Sequence, residues 1–326
     1  MNICIVGAGA IGGYLGARLA LAGEQVTLIA RGAHLEAIRQ HGLILENADG
    51  TREIAQPAMA TSSMADAGPQ DAVVVAVKAH QLPPIAADMR ALYGPQTMVV
   101  TAQNGIPWWY FHKHGGPLEG RRVEAVDPDG VIEANIEIDR VIGCVVYPAA
   151  EIVAPSVIRH IEGNRFTLGE LDGSKTERIS QLSQTFAKAG LRAPVRTNIR
   201  ADMWIKLWGN LAFNPISAVT RATLVDICRF PPTRALAAAM MAEAQTIAEQ
   251  LGVAFGVSIE KRIQGAQEVG AHKTSMLQDI EAGRVTEIDA LVGAVAELGR
   301  MVAVPTPHID ALYASVKLLE LQTARS

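Results

Sequence analysis

The chain opens MNICIVGAGAIGGYLG (residues 1–16), and the reading of this stretch decides the fold. Ile3, Ile5 and Val6 predict a short buried strand. Gly7, Gly9 and Gly12 follow at G-x-G-x-x-G spacing, and Ala10, Ile11, Tyr14 and Leu15 begin a helix. Each glycine has its own physical reason. Gly7 permits the tight strand-to-helix turn, Gly9 leaves bare backbone for a pyrophosphate, and Gly12 lets helix and strand pack closely. The N–H groups that open a helix lack intrahelical partners and carry partial positive charge, which suits an anion. Gly7, Ala8, Gly9, Ala10, Ile11 and Gly12 are therefore the expected cradle of a dinucleotide. Three glycines alone are weak evidence, compatible with a merely tight turn. Their place between a strand and a helix gives the motif its weight.

Working outward, QVTLIA (25–30), AVVVAV (72–77), MVVTAQ (98–103) and VIGCVVY (141–147) are continuous apolar runs. Strands of a parallel sheet covered on both faces read this way. A helix is predicted over 33–41, a hairpin over 42–55 turning at Asn47–Gly50, and a helix over 177–189. VIRHIEG and RFTLGEL (157–171) are expected as antiparallel strands finishing the sheet, and LRAPVRT (191–197) as a last short strand. The first domain is thus a doubly wound α/β sheet of the Rossmann type over residues 1–198.

Arg31, Lys78 and Asn104 each stand just past the carboxyl end of an apolar run, where open α/β sheets bind ligands. No acid near Arg31 is placed to take a ribose 2′-hydroxyl, and an Arg fork suits a 2′-phosphate. The expected cofactor is NADP(H) rather than NAD, the other reading being a solvent-facing Arg. The segment after Asn104 places Trp108, Trp109, Tyr110 and Phe111 in succession, then turns Gly-, Pro- and charge-rich to residue 140. A loop packed by its own aromatics, a lid and an interface all remain open for it. His112 and His114 lack further ligands at metal spacing, so no metal is expected.

From residue 199 to 326 the pattern is helical, with a period of 3.6 and no strong strand run. In RADMWIKLWGNLAFN (200–214), Lys206, Asn210 and Asn214 recur every four residues and so share one helix face. Trp204, Ile205, Leu207, Trp208 and Leu211 are expected to cover the other sides, which argues against a plain solvated face and leaves a site or a buried polar network. Pro215 is expected to end or kink this helix. Farther on, Ser275 lies near a helix start, and Thr286 can cap a helix whose first turn holds Glu287. On spacing alone the plainer reading prevails for both: Ser275 as a simple cap and Glu287 as a dipole-compensating acid.

Composition narrows the classes. The chain has 326 residues, 49% hydrophobic and 19% charged, with a net charge of −4 and no basic stripe, so nucleic acid is not an expected partner. Cys4, Cys144 and Cys228 are far apart, which disfavours a disulfide framework or zinc site and fits a reducing cytoplasm. No charged-then-apolar leader precedes the first strand. The most apolar long segment, 235–256, is interrupted by Glu243 and Glu249 and reads as a core helix, not a membrane span.

Taken together, GAGAIGG (7–13), Arg31, VAVKAHQ (75–81), TAQNGIP (101–107), KLWGNLAFNP (206–215) and SMLQDIEAGRVTEID (275–289) resemble the 2-dehydropantoate 2-reductase (ketopantoate reductase) family. The resemblance runs through both halves in order. It implies a Rossmann-type domain followed by an all-helical domain, the 6-phosphogluconate dehydrogenase-like arrangement. It also implies NADPH-dependent reduction of 2-dehydropantoate to pantoate, a step of pantothenate biosynthesis. Carried over position by position, Lys206 matches the family's proton donor, and Asn210, Asn214 and Ser275 match substrate-contacting positions. Arg31 and Lys78 match contacts to the adenosine phosphate end of the cofactor, and Ala149 matches another cofactor contact. Asn104 matches a residue between nicotinamide ribose and substrate, and Glu287 one near the ribose and a substrate hydroxyl.

Two departures bear on the substrate. Leu224 stands where the family has a further substrate Asn, and the 108–140 segment is longer and more aromatic. A different branched or aromatic 2-oxo acid is the alternative substrate, and a non-catalytic dinucleotide sensor the alternative class. The expected partners are a small-molecule 2-oxo acid and a second copy of the chain in a homodimer.

Overall fold

In the computed structural model, which describes residues 1–323, the chain forms two compact units. The first comprises Met1–Gln103, Phe111–Arg121 and Gly130–Ile199. The second comprises Asn104–Tyr110, Arg122–Asp129 and the chain from Arg200 on. Two short pieces from inside the first 198 residues therefore count with the helical unit.

The first unit runs β1 (Asn2–Val6), α1 (Ala10–Leu21), β2 (Gln25–Ile29), α2 (Gly32–His41), β3 (Leu43–Glu46), β4 (Arg52–Ala55) and β5 (Met59–Thr61). It continues with α3 (Met64–Ala67), β6 (Gln70–Val75), β7 (Tyr93–Thr101), β8 (Val141–Val146), β9 (Ala149–Ala154), β10 (Val157–Glu162), β11 (Phe166–Glu170) and α4 (Glu177–Lys188). Seven strands form one sheet in the order β11-β8-β7-β6-β1-β2-β5, all parallel except β11 against β8. The apolar runs account for this layout. Ile3, Cys4, Ile5, Val73, Val74, Val99 and Val100 are wholly buried, as strands covered on both faces require. The order reverses at β1, which pairs with β2 on one side and β6 on the other. Val6 is level with both Ile29 and Val75, so the three strands end together at the switch point.

A second sheet, β4-β3-β10-β9, lies on the outer side of α1. Tyr14 stacks on His160 at 4.4 Å, and Arg18 donates to Glu53 Oε2 at 3.0 Å and to Asn47 Oδ1 at 2.6 Å. The helix is thus covered on both sides, and its small residues make that geometry fit. A Cβ at Gly13 would come within 2.8 Å of Ile158, and one at Gly16 within 2.8 Å of Leu28.

The second sheet corrects the expectation that 157–171 would finish the main one. β10 alternates Ile158 inward with Arg159 outward, a pattern for a sheet with one solvated face, whereas β11 is buried at every position. Only β11 joins the main sheet. LRAPVRT forms no strand; it touches the sheet by two isolated bridges, Arg165 with Arg192 and Leu168 with Val195. Pro194 between them has no N–H to continue a ladder.

The second unit contains α5 (Ile199–Thr220), α6 (Leu224–Arg229), α7 (Pro231–Gln250), α8 (Ile259–Val269), α9 (Ser275–Glu281), a π turn (Asp289–Gly293) leading into α10 (Ala294–Met301), and α11 (Pro307–Thr323). No strand occurs among its described residues. Trp204 and Trp208 are fully buried, and both indole N–H groups are satisfied, by Tyr110 Oη at 2.7 Å and by the Met241 carbonyl at 2.7 Å. α5 does not end at Pro215 but continues to Thr220. Leu211 to Ala218 are all buried, and that packing offsets a helix-interior proline's penalty of about 3 kcal/mol. The aromatic run Trp108–Phe111 is buried too. α7 accounts for most of the apolar segment 235–256, and no helix among the described residues is long and apolar enough to cross a membrane.

Candidate active site

In the first unit, the turn after β1 is built by close approach. Gly7 has φ +100°, and a Cβ there would meet Val77 Cγ1 at 2.7 Å. A Cβ at Gly12 would fall 2.0 Å from the Gly7 carbonyl oxygen. Gly9, by contrast, has nothing within 4 Å of its Cβ position, so the turn is open at that residue. Gly9 is also the N-cap of α1, offers no side chain to the first N–H groups, and no acid stands in the first turn. A bare helix N-terminus beside an open glycine fits a pyrophosphate. Ala8, Ala10 and Ile11 complete this turn.

The neighbouring strand ends converge on it. Val77 follows β6 and lies against Gly7, and Gln103 Nε2 donates to the Val77 carbonyl at 2.9 Å. Lys78 comes next, its backbone N–H donating to Gln81 Oε1 at 3.2 Å. Arg31 caps α2 just past β2 and is exposed, and its side chain makes no hydrogen bond or ion pair among the described residues. Ala149 belongs to a different layer, as the first residue of β9 in the four-stranded sheet.

His34 was not legible as part of this turn. Its Nε2 bonds the Ala8 carbonyl at 2.8 Å, and its Nδ1 lies 3.1 Å from the Ser156 N–H. Because Nδ1 accepts from a backbone N–H, the ring proton sits on Nε2 and donates to Ala8. Burial pushes the His34 pKa below its ordinary value, with the Ala8 bond acting in the opposite sense. No local signal marks a residue whose second partner is 122 positions away.

In the second unit, Asn104, Lys206 and Glu287 come together. Lys206 Nζ donates to Asn104 Oδ1 at 2.6 Å, and Asn104 Nδ2 donates to Glu287 Oε2 at 3.2 Å. The asparagine amide thus links an ammonium to a carboxylate, its oxygen toward the cation and its nitrogen toward the anion. The loop that carries Asn104 is held tightly. Gly105 has φ +87°, its absent Cβ would meet the Ala290 carbonyl oxygen at 2.4 Å, and Ile106 N–H donates to that oxygen at 2.9 Å.

Lys206 and Asn210 are half-buried on one face of α5, and Asn214, a turn further, is nearly buried. The side-chain amides of Asn210 and Asn214 make no hydrogen bond among the described residues, which leaves their donors and acceptors for a ligand. Ser275 is the exposed first residue of α9. The cap is Thr274, whose Oγ1 accepts from Leu277 N–H at 3.3 Å, so the Ser275 hydroxyl is not used for capping.

The architecture and these residues mark the class of the protein: an oxidoreductase made of a Rossmann-type sheet unit and a helical unit. The ketopantoate reductase PanE/ApbA family model matches residues 3–173 and its C-terminal model residues 198–320, so the chain belongs to the ketopantoate reductase family. A 2-dehydropantoate 2-reductase of Mesorhizobium japonicum is 56% identical over 99% of this chain and 98% of its own. A solved structure from Ralstonia solanacearum superposes with a TM-score of 0.94 at 46% identity, covering 98% of each chain. A D-mandelate dehydrogenase solved with NADH and anilino(oxo)acetate shares the fold, with a TM-score of 0.84 at 23% identity over 99% of each chain.

Proposed function

We propose that the protein reduces 2-dehydropantoate to pantoate with NADPH, as a step of pantothenate synthesis. The observation that carries the reading is the Lys206–Asn104–Glu287 group in a chain 56% identical, end to end, to a 2-dehydropantoate 2-reductase. In this reading, residues 1–198 bind the dinucleotide and residues 199–326 bind substrate and carry the catalytic lysine. Bound reduced nicotinamide supplies a hydride to the carbonyl carbon.

The chain's own residues do the rest. As the carbonyl oxygen gathers negative charge, Lys206 Nζ gives it a proton. Asn104 holds that ammonium through Oδ1 and keeps its donors aimed. Glu287 accepts from a substrate hydroxyl and, through Asn104, faces the cation. The unused amides of Asn210 and Asn214 bind the substrate's polar groups, and the Ser275 hydroxyl its carboxylate. Gly7 to Gly12 take the pyrophosphate on backbone N–H groups, Ala149 adds a further cofactor contact, and Arg31 with Lys78 takes the adenosine phosphate end. Arg31, without a protein anion, is the basis for choosing NADPH over NADH. Three free buried thiols, Cys4, Cys144 and Cys228, accord with a cytoplasmic setting, and a homodimer is the proposed assembly.

The test follows loss of NADPH absorbance with 2-dehydropantoate first in a panel of 2-oxo acids. The highest kcat/KM is expected for 2-dehydropantoate. A higher value for an aromatic 2-oxo acid moves the substrate, and NADPH binding without oxidation by any member leaves a sensor. Lys206→Ala is expected to lower kcat by about 10²-fold or more, and unchanged turnover removes its role as proton donor.

A further inference from the structure

Glu287 sits in a stretch without regular structure, between α9 and the π turn. Residues on both sides of it, Thr286 and Asp289, are held by one helix. On one side Thr286, almost fully buried, donates through N–H and Oγ1–H to Glu320 Oε1, at 2.8 and 2.7 Å. On the other side Asp289 accepts from Tyr313 Oη at 2.7 Å and from Lys317 Nζ at 3.0 Å. Tyr313, Lys317 and Glu320 are spaced four and three apart, which puts them on one face of α11. Lys317 Nζ also lies 3.6 Å from Glu320 Oε2, closing the row.

The same face fixes the π turn. A Cβ at Gly293 would meet the Tyr313 ring at 2.8 Å, so the turn and the ring are in close contact. Ala290, inside the turn, is the residue whose carbonyl holds Ile106 and with it the Asn104 loop. Both partners in the Asn104–Glu287 hydrogen bond are thus hung from one turn. Single π turns inside helices recur at functional sites, and here Leu291 N–H in the turn donates to the Glu287 carbonyl at 3.0 Å.

We infer that α11 sets Glu287 against Asn104, and that Glu320, Tyr313 and Lys317 are positioning residues for the reaction; this rests on the proposed role of Glu287. Their contributions differ. Glu320 is 13% exposed and satisfies two donors of a buried threonine, so its loss leaves both unpaired. The Lys317–Asp289 pair is about 40% exposed on each side, where ion pairs contribute little.

The test measures kcat and KM for 2-dehydropantoate, NADPH affinity by fluorescence, and Tm, with Glu287→Gln as reference. Glu320→Ala is expected to lower kcat/KM about tenfold or more in the manner of Glu287→Gln. NADPH affinity should change by less than about twofold. Glu320→Gln keeps an oxygen acceptor for Thr286 and should restore activity. Glu287→Gln with Glu320→Ala should be no worse than Glu287→Gln alone. An additive double variant overturns the inference, as does a Glu320→Gln no better than Glu320→Ala. If Glu320→Ala does not fold, Tyr313→Phe removes one hydroxyl only; a loss of about twofold or more that vanishes in the Glu287→Gln background supports the inference, and no loss overturns it. Wild-type kinetics in Glu287→Gln would remove the role of Glu287 and this inference with it, while Lys206→Ala would still report separately on the reduction.

Discussion

The glycine turn after β1 and the Lys206–Asn104–Glu287 group are built in opposite ways. The turn is made of backbone, and its specificity lies in atoms that are absent: no Cβ at Gly7, Gly9 or Gly12. The group is made of long polar side chains whose ends meet across 102 and 183 positions of sequence. A backbone site is broken by adding atoms and a side-chain site by removing them. The first is also written locally, within six residues, whereas the second exists only after folding.

The sharpest test of this difference is a pair of additions inside one motif. Gly12→Ala puts a methyl 2.0 Å from the Gly7 carbonyl and 3.0 Å from Ile5 and Ala76, none of which can yield without moving α1 off the sheet. Thermal unfolding should show a loss of about 3 kcal/mol or more, with dinucleotide binding abolished. Gly9→Ala meets no protein atom, and its backbone φ of −67° suits alanine. Tm should therefore hold within about 2 °C while the NADPH Kd, read by fluorescence titration, rises about tenfold or more. Equal losses of stability in the two variants would mean that Gly9 serves the fold and not the ligand.

That contrast also explains what could be read from sequence. The buried parallel strands around β1 were legible because continuous apolar runs and the glycine spacing are local signals, and both follow from burial on two faces. β5 escaped notice because three residues, two of them incompletely buried, carry too little pattern. β9 escaped because Glu151 and the outer residues of its far end face solvent. Which sheet β10 would join was not written in its own alternation alone, since the partner strand β3 lies more than a hundred residues earlier. In the helical unit, the four-residue spacing put Lys206, Asn210 and Asn214 on one face. It could not show that Asn104 would lie between Lys206 and Glu287; family resemblance gave each of the three a separate role, and the link appears only in the folded chain.

A smaller effect is expected where the turn meets its cofactor through a side chain. Arg31 is exposed, caps α2 and has no protein anion among the described residues, so removing it should cost the fold little. Arg31→Ala should raise the KM for NADPH about tenfold and leave that for NADH within about twofold. Parallel increases for both cofactors would place Arg31 at a part that NADPH and NADH share, and the preference for NADPH would need another source.

The smallest effect tests whether the backbone site really is free of titrating parts. His34 is the exception: a neutral ring that bonds Ala8 through one nitrogen and accepts from the Ser156 N–H through the other. Ser156 is buried with φ +61°, so it cannot easily turn its N–H elsewhere. Protonation puts a hydrogen on Nδ1, against that N–H, and the acceptor is lost. Burial lowers the His34 pKa in the folded chain below its ordinary 6.5, so between the two values the unfolded chain binds more protons. The stabilisation is whole above about pH 6.5 and drains away as pH falls through the folded-state pKa. His34→Gln keeps a donor for the Ala8 carbonyl but has no titrating acceptor for Ser156. Wild type should therefore exceed the variant in Tm by about 2–4 °C near pH 7.5, and the gap should narrow toward about pH 5. A gap that stays constant, or widens on acidification, would mean that His34 braces the turn by packing and not by the hydrogen bond its neutral ring accepts.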